Sequence, residues 1–385
     1  KSKTKGAALI SSLLLSATLP ITSITAVAAD TPYIQGNTYG GATNGAVLLG
    51  DDVTAAAAAN AVAVGNRAQA LASGSIAIGT DAYVPQNTAS SPSGDNIAIG
   101  KSASATADNN VAVGAFASVS GNESVAFGYS AIATGATAVA IGNSAKASST
   151  SDTAIGYNAQ ASGRGSIALG QGAISSGLVS TAVGNQSVAS GGFSSAFGDG
   201  ARATESDSLA AGALSIASAG NTSVYGTRAE ATKSGATAIG TRSKATEVNA
   251  VAIGVNTQAS LVNSVALGNS SVTDSSTVYS KTSTNNGIIF GNYAGTVNTN
   301  TGRVVSVGAI GAERQIKNVA SGVVSSISTD AINGSQLYAT DVALGNVASS
   351  TKNILGGNAT LNPDGSITMT NIGDTGYNTV HEAIK

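Results

Sequence analysis

The sequence predicts an all-β solenoid, a parallel roll of short coils stacked along one axis. Three observations predict it. Fifteen glycines keep one phase: Gly65 and Gly79, then thirteen from Gly100 to Gly268, with a 14-residue step between neighbours. Before each glycine, apolar residues alternate with alanine, in cassettes such as Val111-Ala112-Val113-Gly114 and Val265-Ala266-Leu267-Gly268. The composition also lacks the large residues of a wide core: 48 of 385 residues are Gly, 4% are aromatic and none is Trp. A fixed period of this kind marks stacked repeats, each touching only its neighbours. Only 10% of residues are charged, but 42% are apolar and fall on a regular beat, which argues for order over disorder.

The first element is a secretory signal over residues 1–29. Lys1, Lys3 and Lys5 give a basic start, Ala7 to Leu19 an apolar run, and Ala26-Val27-Ala28 a cleavage site. The run is too short to span a membrane. The chain begins with Lys, so the true N-terminus is expected upstream. Residues 30–59 are read as a lead-in and 60–273 as the roll.

Within the roll, positions are counted from the anchor glycine. At minus one a large apolar residue stands at fourteen of the fifteen anchors, and Ala211 is the exception. At minus three, ten of fifteen are Val, Ile or Leu. At minus two, every cassette but one has Ala, and Val224 replaces it. Alternation with period two is strand patterning. Bulk suggests that the branched residues face inward and that the alanine column faces outward, close against another copy. A second beat follows: plus three is usually Ala and plus five is Ala at eleven of fifteen. Between them, Lys146, Arg202, Glu230 and Lys244 at plus four should point away from the interior. Each unit thus reads as two short strands joined by two tight turns, with glycine serving the turns. Fourteen residues give a perimeter of roughly 46 Å, enough for only a thin, flattened coil.

The period breaks twice. Seven extra residues separate Gly79 from Gly100, and the insert carries Pro85, Pro92 and the polar run Gln86 to Ser91. It reads as a loop off the scaffold, a place where binding residues often sit. Residues 274–303 form an irregular spacer rich in Ser, Thr and Asn. A last cassette, Val305-Ser306-Val307-Gly308, then leads into Ala309-Ile310-Gly311-Ala312-Glu313-Arg314-Gln315-Ile316-Lys317-Asn318-Val319-Ala320 and on to Ser328-Thr329-Asp330-Ala331-Ile332-Asn333-Gly334-Ser335-Gln336-Leu337.

That string closely resembles the neck of the YadA-type trimeric autotransporter adhesins, and the 14-residue cassettes resemble that family's head repeat. Asn263-Ser264-Val265-Ala266-Leu267-Gly268 is nearly the ideal form. The resemblance implies a left-handed parallel β-roll head, three chains around one axis, and a neck over 304–337. In that neck Arg314, Gln315, Ile316, Asn318, Val319, Asp330, Ile332, Gln336 and Leu337 would cross between chains and hold the trimer. Val323 to Ser328 are additional to the short form of the neck. Leu337, Leu344, Val347 and Ile354 fit a short heptad pattern, so 338–355 is read as the start of a coiled-coil stalk. Gly356-Gly357 and Asn362-Pro363-Asp364-Gly365 signal turns in a β-containing connector over 356–385. A membrane anchor is expected further along a longer protein.

The function that the resemblance implies is non-catalytic adhesion at the bacterial outer membrane: to host matrix proteins, to host cells or to other bacteria. In the family the Asn-Ser-Val-Ala-Ile-Gly face is tied to collagen. Here Asn60, Asn109, Asn221, Asn249 and Asn263, with Ser264, are the candidate ligand residues, and Gly165, Val179, Phe193 and Gly235 replace that Asn elsewhere. This sparser face counts against collagen as the particular ligand, so collagen is one candidate among matrix proteins. The same Asn and Ser positions also suit a turn or a side-chain ladder that stabilises the stack, and both readings stand at this point.

Other chemistry is poorly supplied. The formal net charge is -2, which gives no electrostatic case for nucleic acid. There is no Cys, which excludes disulfides and thiolate metal sites, and the one His is His381. Ser349-Ser350-Thr351-Lys352 matches S-x-x-K without its partner motifs, and Gly94 to Ser102 has the wrong spacing for a P-loop. Scattered carboxylates do not fit calcium-binding nonapeptides. No cofactor or metal is expected. The alternative is another β-solenoid surface protein, either an ice-binding one, which wants a Thr ladder, or a polysaccharide-processing β-helix, which wants longer coils and clustered Asp, Arg or Lys.

Overall fold

The computed structural model describes residues 33–35, 45–54, 59–86, 95–273, 282–285, 288–291, 293–295 and 302–385. The signal segment 1–29, Pro92 and most of the 274–303 spacer lie outside the described residues. The chain divides into two units, one holding the roll up to Ser276 with Thr301–Ala312, the other holding Thr277–Asn300 and Glu313–Lys385.

The roll is a parallel β-solenoid. Each coil contributes a three-residue strand at minus three to minus one and a two-residue strand at plus four and plus five, as in Val125–Phe127 and Ile132–Ala133. The three-residue strands build an 18-stranded front sheet and the two-residue strands a 15-stranded back sheet. Strands pair in parallel at the 14-residue register, Val125 opposite Val139 and Ile132 opposite Lys146. Backbone groups are satisfied between coils: Val125 N–H donates to Ala138 O at 2.9 Å and Gly128 N–H to Val113 O at 2.8 Å.

The anchor glycine is required by both space and conformation. Gly142 has φ 130°, a region that side-chain-bearing residues rarely enter, and a Cβ there would lie 2.5 Å from the carbonyl oxygen of Gly156. The same approach repeats from coil to coil, so the glycines form a column of touching backbones.

Burial reverses the expected faces of the front strand. The alanines at minus two point into the roll: Ala112, Ala126 and Ala140 are fully buried, together with Ala117, Ala131 and Ala145 at plus three and Ala105, Ala133 and Ala147 at plus five. The branched and aromatic residues at minus three and minus one point outward instead; Phe127 is 54% exposed and Leu267 45%. The period-two alternation holds, but the interior of a coil is narrow: alanine methyl groups fill most of it, and larger side chains enter only at scattered rungs such as Leu48, Val84, Val119 and Val224. Bulk misleads because apolar residues routinely occupy surfaces as well as cores. Lys146, Arg202 and Lys244 at plus four are exposed, and Glu230 is half-buried, as their alternation with buried alanines requires.

Position minus four is a buried polar column. Asn110 accepts from Ser124 N–H at 3.0 Å through Oδ1, and Ser124 Oγ accepts from Ala138 N–H at 3.0 Å. Asp152 is wholly buried and its carboxylate accepts from Ser149 N–H, Ser166 N–H and the Ser166 hydroxyl at 2.7, 2.9 and 2.9 Å. A buried polar atom is tolerated when it is bonded in this way.

The stack extends beyond the fifteen anchors. Val47–Leu49 pairs in parallel with Val62–Val64, and Tyr33–Gln35 with Val47–Leu49. At the other end, Val305 stands opposite Val265 and Ser306 opposite Ala266, and Val272 N–H donates to Gly308 O at 2.9 Å. The last cassette therefore rejoins the roll in the place that one more regular coil would have taken. The Gly79–Gly100 insert likewise leaves the register intact, with Ile76 opposite Ile97 and Tyr83 opposite Ser104.

In the second unit, residues 313–333 run without regular structure into the helix Gly334–Leu355. Asn333 caps this helix: its Oδ1 accepts from Gln336 N–H at 3.2 Å, and the Gln336 side chain returns to the Asn333 backbone. None of the helix residues is buried, and Leu344 and Ile354 are 67% and 85% exposed. Beyond it, Thr360–Leu361 and Ile367–Thr368 pair as an antiparallel hairpin and a short helix covers Val380–Ile384.

Candidate functional site

The described surface offers three features: the outer face of the front sheet, the two corners of each coil, and the neck. The front sheet carries two parallel columns of outward apolar side chains. One includes Val113, Phe127, Ile141, Ile155 and Leu169, the other Val111, Val125 and Val139. The back sheet is more mixed, with Ser118, Ile132, Lys146 and Gln160 at successive outward positions. Contiguous exposed apolar surface on this scale marks an interaction site.

The candidate asparagines all sit at one corner, five residues before the anchor. Asn60, Asn109, Asn221, Asn249 and Asn263 are exposed and left-handed, with φ from 53° to 58°. Asn and Gly tolerate that conformation best, which accounts for Gly165 and Gly235 at the same position. Asn249 Nδ2 donates to Asn263 Oδ1 at 2.9 Å, one rung of a side-chain ladder. Ser264 is different: it is wholly buried, its hydroxyl donates to Val262 O at 3.2 Å and accepts from Val304 N–H at 3.0 Å. It belongs to the interior polar column and presents nothing to a ligand.

The other corner, two residues after the anchor, is also left-handed, and the sequence pattern held little sign of it because Arg, Ser, Phe, Leu and Gln all occur there. Phe116 at this corner meets Tyr129 edge-on with ring centroids 5.6 Å apart, and Lys101 Nζ lies 5.8 Å from the Phe116 ring. Arg67 and Asp81 form an ion pair at 2.6 Å. Their mutual hydrogen bonds hold the Asp81 carboxyl below its ordinary value and raise the Arg67 guanidinium.

In the neck, Val319, Asp330 and Gln336 of the expected residues make bonds within the chain. Gln336 brackets Gly322, donating to its carbonyl at 2.7 Å and accepting from its N–H at 3.0 Å. Asn333 Nδ2 donates to the Val319 carbonyl at 3.1 Å, and Asp330 accepts from Val323 N–H at 3.0 Å. Asn318 is left-handed at φ 61°. Arg314 and Gln315 are exposed, and so are the apolar side chains of Ile316, Ile332 and Leu337. Among the described residues no group of three His, Cys, Asp or Glu could hold a metal ion, and no helix is long and apolar enough to cross a membrane.

Comparison with known proteins gives a consistent picture. The YadA head domain repeat matches residues 56–82, 97–117, 120–145, 147–173, 175–201, 231–254 and 245–271. The coiled stalk of trimeric autotransporter adhesin matches residues 315–360. The trimeric autotransporter adhesin AtaA of Acinetobacter sp. (strain Tol 5) is 54% identical over 70 residues, which is 18% of this chain and 2% of that protein. The autotransporter adhesin EhaG of Escherichia coli O157:H7 is 44% identical over 71 residues, 18% of this chain and 4% of that protein. The chain thus matches only a small part of the length of these relatives. Among solved structures, the C-terminal YadA-like domain of BPSL2063 from Burkholderia pseudomallei is 28% identical, with TM-score 0.25 over 40% of this chain and 58% of that one. The collagen-binding domain of the Yersinia adhesin YadA is 19% identical, with TM-score 0.17 over 72% of this chain and 84% of that one. With head repeats along the roll and the stalk family over the neck and helix, the chain belongs to the YadA-type trimeric autotransporter adhesins.

Proposed function

We propose that the protein is an exported adhesin of the bacterial outer membrane that works as a homotrimer, without catalysis, and presents its roll to host matrix proteins, host cells or other bacteria. The observation that carries the reading is the outward apolar face of the front sheet. A parallel sheet buried on both sides reads as a near-continuous apolar run, and Val-Ala-Ile-Gly cassettes are such runs. One side is buried by the chain's own alanines, and the other awaits a second copy. Ile141 is 37% exposed, so covering it is worth about 0.5–1 kcal/mol, the remaining share of the value for full burial, and the gain repeats coil after coil. The uncovered Leu337, Leu344, Val347 and Ile354 of the helix make the same demand. Trimerisation would then stabilise the fold by mass action and multiply weak contacts into avidity. Collagen is one matrix protein to test, and the exposed asparagine corner is the surface to test it on.

Light scattering on the chain is expected to give the mass of three copies. The double variant Ile141→Lys, Ile155→Lys is expected to keep its β-sheet circular dichroism and to associate more weakly. A folded monomer in both cases would sink the trimer. Bacteria displaying the protein are expected to adhere to immobilised matrix protein, to cultured cells or to one another; adhesion to none of the three would sink the function.

A further inference from the structure

The corner two residues after each anchor repeats one backbone geometry along the roll, and it carries two opposite charge arrangements. Arg67 and Asp81 stack on adjacent coils and close a two-bond ion pair, at 2.6 and 2.8 Å. Arg228 and Arg242 occupy the same arrangement further along the roll, with φ 55° and 57°. Arg242 N–H donates to Thr227 O at 3.0 Å and Arg228 N–H to Ala213 O at 2.9 Å, so their coils are stacked in register. Adjacent strands lie about 4.8 Å apart. Like charges facing each other at that spacing destabilise a sheet. Neither guanidinium meets an acceptor among the described residues, and the carboxylate of Glu230 is engaged by Lys244 at 3.4 Å. Arg228, Arg242, Lys233 and Lys244 are all exposed.

The surrounding charge is segregated as well. Residues 45–207 contain five Lys or Arg against ten Asp or Glu, whereas residues 208–273 contain four against two. The basic coils therefore form one end of a row whose remainder is acidic.

We propose that Arg228 and Arg242 bind a linear polyanionic polysaccharide through its sulfate esters or uronate carboxylates. An anion between the two guanidinium groups replaces their repulsion with paired, charge-assisted hydrogen bonds, for which the planar Arg fork is suited. The site is shallow and exposed, so a lone small anion gains little there. A polymer gains from repetition, on one chain and again on each further copy. A nucleic acid wants a broad basic stripe, and the acidic coils next to this site oppose one. The inference rests on the adhesion reading for its place in the protein's work and names a ligand class for it.

The test is titration of the full chain with dextran sulfate, polygalacturonate, neutral dextran and duplex DNA, at low and at physiological salt. The wild type is expected to bind at least one of the two anionic polysaccharides, more weakly as salt rises, and to ignore neutral dextran. Dextran sulfate binding tighter assigns sulfate, polygalacturonate binding tighter assigns uronate, and either supports the site. Arg242→Asp rebuilds at this rung the ion pair that Arg67 makes with Asp81 one coil later. It is expected to weaken binding at least tenfold with no loss in melting temperature, as is Arg228→Gln with Arg242→Gln. Arg67→Gln with Asp81→Asn is expected to bind as the wild type does. The site is overturned if the wild type binds neither polyanion, if the arginine variants bind equally well, or if DNA is preferred to both. Displayed protein that adheres to matrix or cells but binds neither polysaccharide would remove the site and leave the adhesion reading standing. Arginine-dependent polysaccharide binding without any adhesion would do the reverse.

Discussion

Each coil of the roll closes an alanine-lined interior with its own chain, whereas the helix Gly334–Leu355 buries none of its residues. The two regions are equally regular in sequence, one on a 14-residue beat and the other on a short heptad. What separates them is where the partner surface comes from. In the roll, the back sheet of a coil covers the front sheet of the same coil, so burial is settled locally. In the helix, the apolar positions Leu337, Leu344, Val347 and Ile354 are 59%, 67%, 61% and 85% exposed. The outer face of the front sheet belongs with the helix in this respect, so a single strand such as Val139–Ile141 carries both conditions on alternate residues.

That strand gives the largest expected effect. Ala140→Leu forces extra volume into a stretch of the interior where the neighbouring rungs, Ala126 and Ala154, are also filled by alanine, and a loss of about 1–3 kcal/mol is expected in denaturant or thermal unfolding. Ile141→Leu, one residue along and facing out, is expected to leave unfolding nearly unchanged. Equal effects at the two sites would break the distinction between inside and outside. A smaller effect is expected at the helix: Asn333→Ala removes the cap and the bond to the Val319 carbonyl, for about 1 kcal/mol. Circular dichroism should show a loss of helix with the β signal intact, and concerted loss of both would mean that the helix and roll unfold as one.

The smallest effect is at the exposed Arg67–Asp81 rung. The Asp81 carboxyl is held below its ordinary value of 3.8, chiefly by its hydrogen bond with Arg67. The folded state therefore favours the charged form. This contribution is fully present above the unfolded value and is lost as pH falls through the lower folded value. Between pH 5 and 2 the melting temperature of the wild type should fall slightly more than that of Asp81→Asn. A parallel fall would show that the pair adds nothing.

Much of this was legible in the residues. Glycine spacing set the coil length, and alternation set the two strands and the exposed plus-four column. Faces were not legible, because Val is bulkier than Ala and bulk stood in for burial; only the distance between two sheets decides which of them fits. The coil at Val47–Leu49 escaped because Leu48 replaces the usual alanine and Gly50 stands one position out of phase with Gly65. Ser264 looked like the partner of Asn263 in one surface motif, yet Asn263 stands at the left-handed corner while Ser264 follows it into the coil and is buried. The arginine pair could have been found by aligning the chain on its repeat and reading the plus-two column for like charges. Nothing in that column signals a shared backbone conformation until the left-handed φ values are seen.

The return of the chain at Val305 onto Val265, with register kept across a long excursion, has a consequence for heredity. Neighbouring coils pair through the same backbone bonds at each step, with side-chain bonds such as Asn110 to Ser124 added at some, so one coil can readily follow another. Unequal exchange between two cassettes in the coding sequence would delete or duplicate one whole coil and leave a junction like all the others. Head length is then a quantity that a lineage can alter by whole steps of about 4.8 Å, one strand spacing at a time.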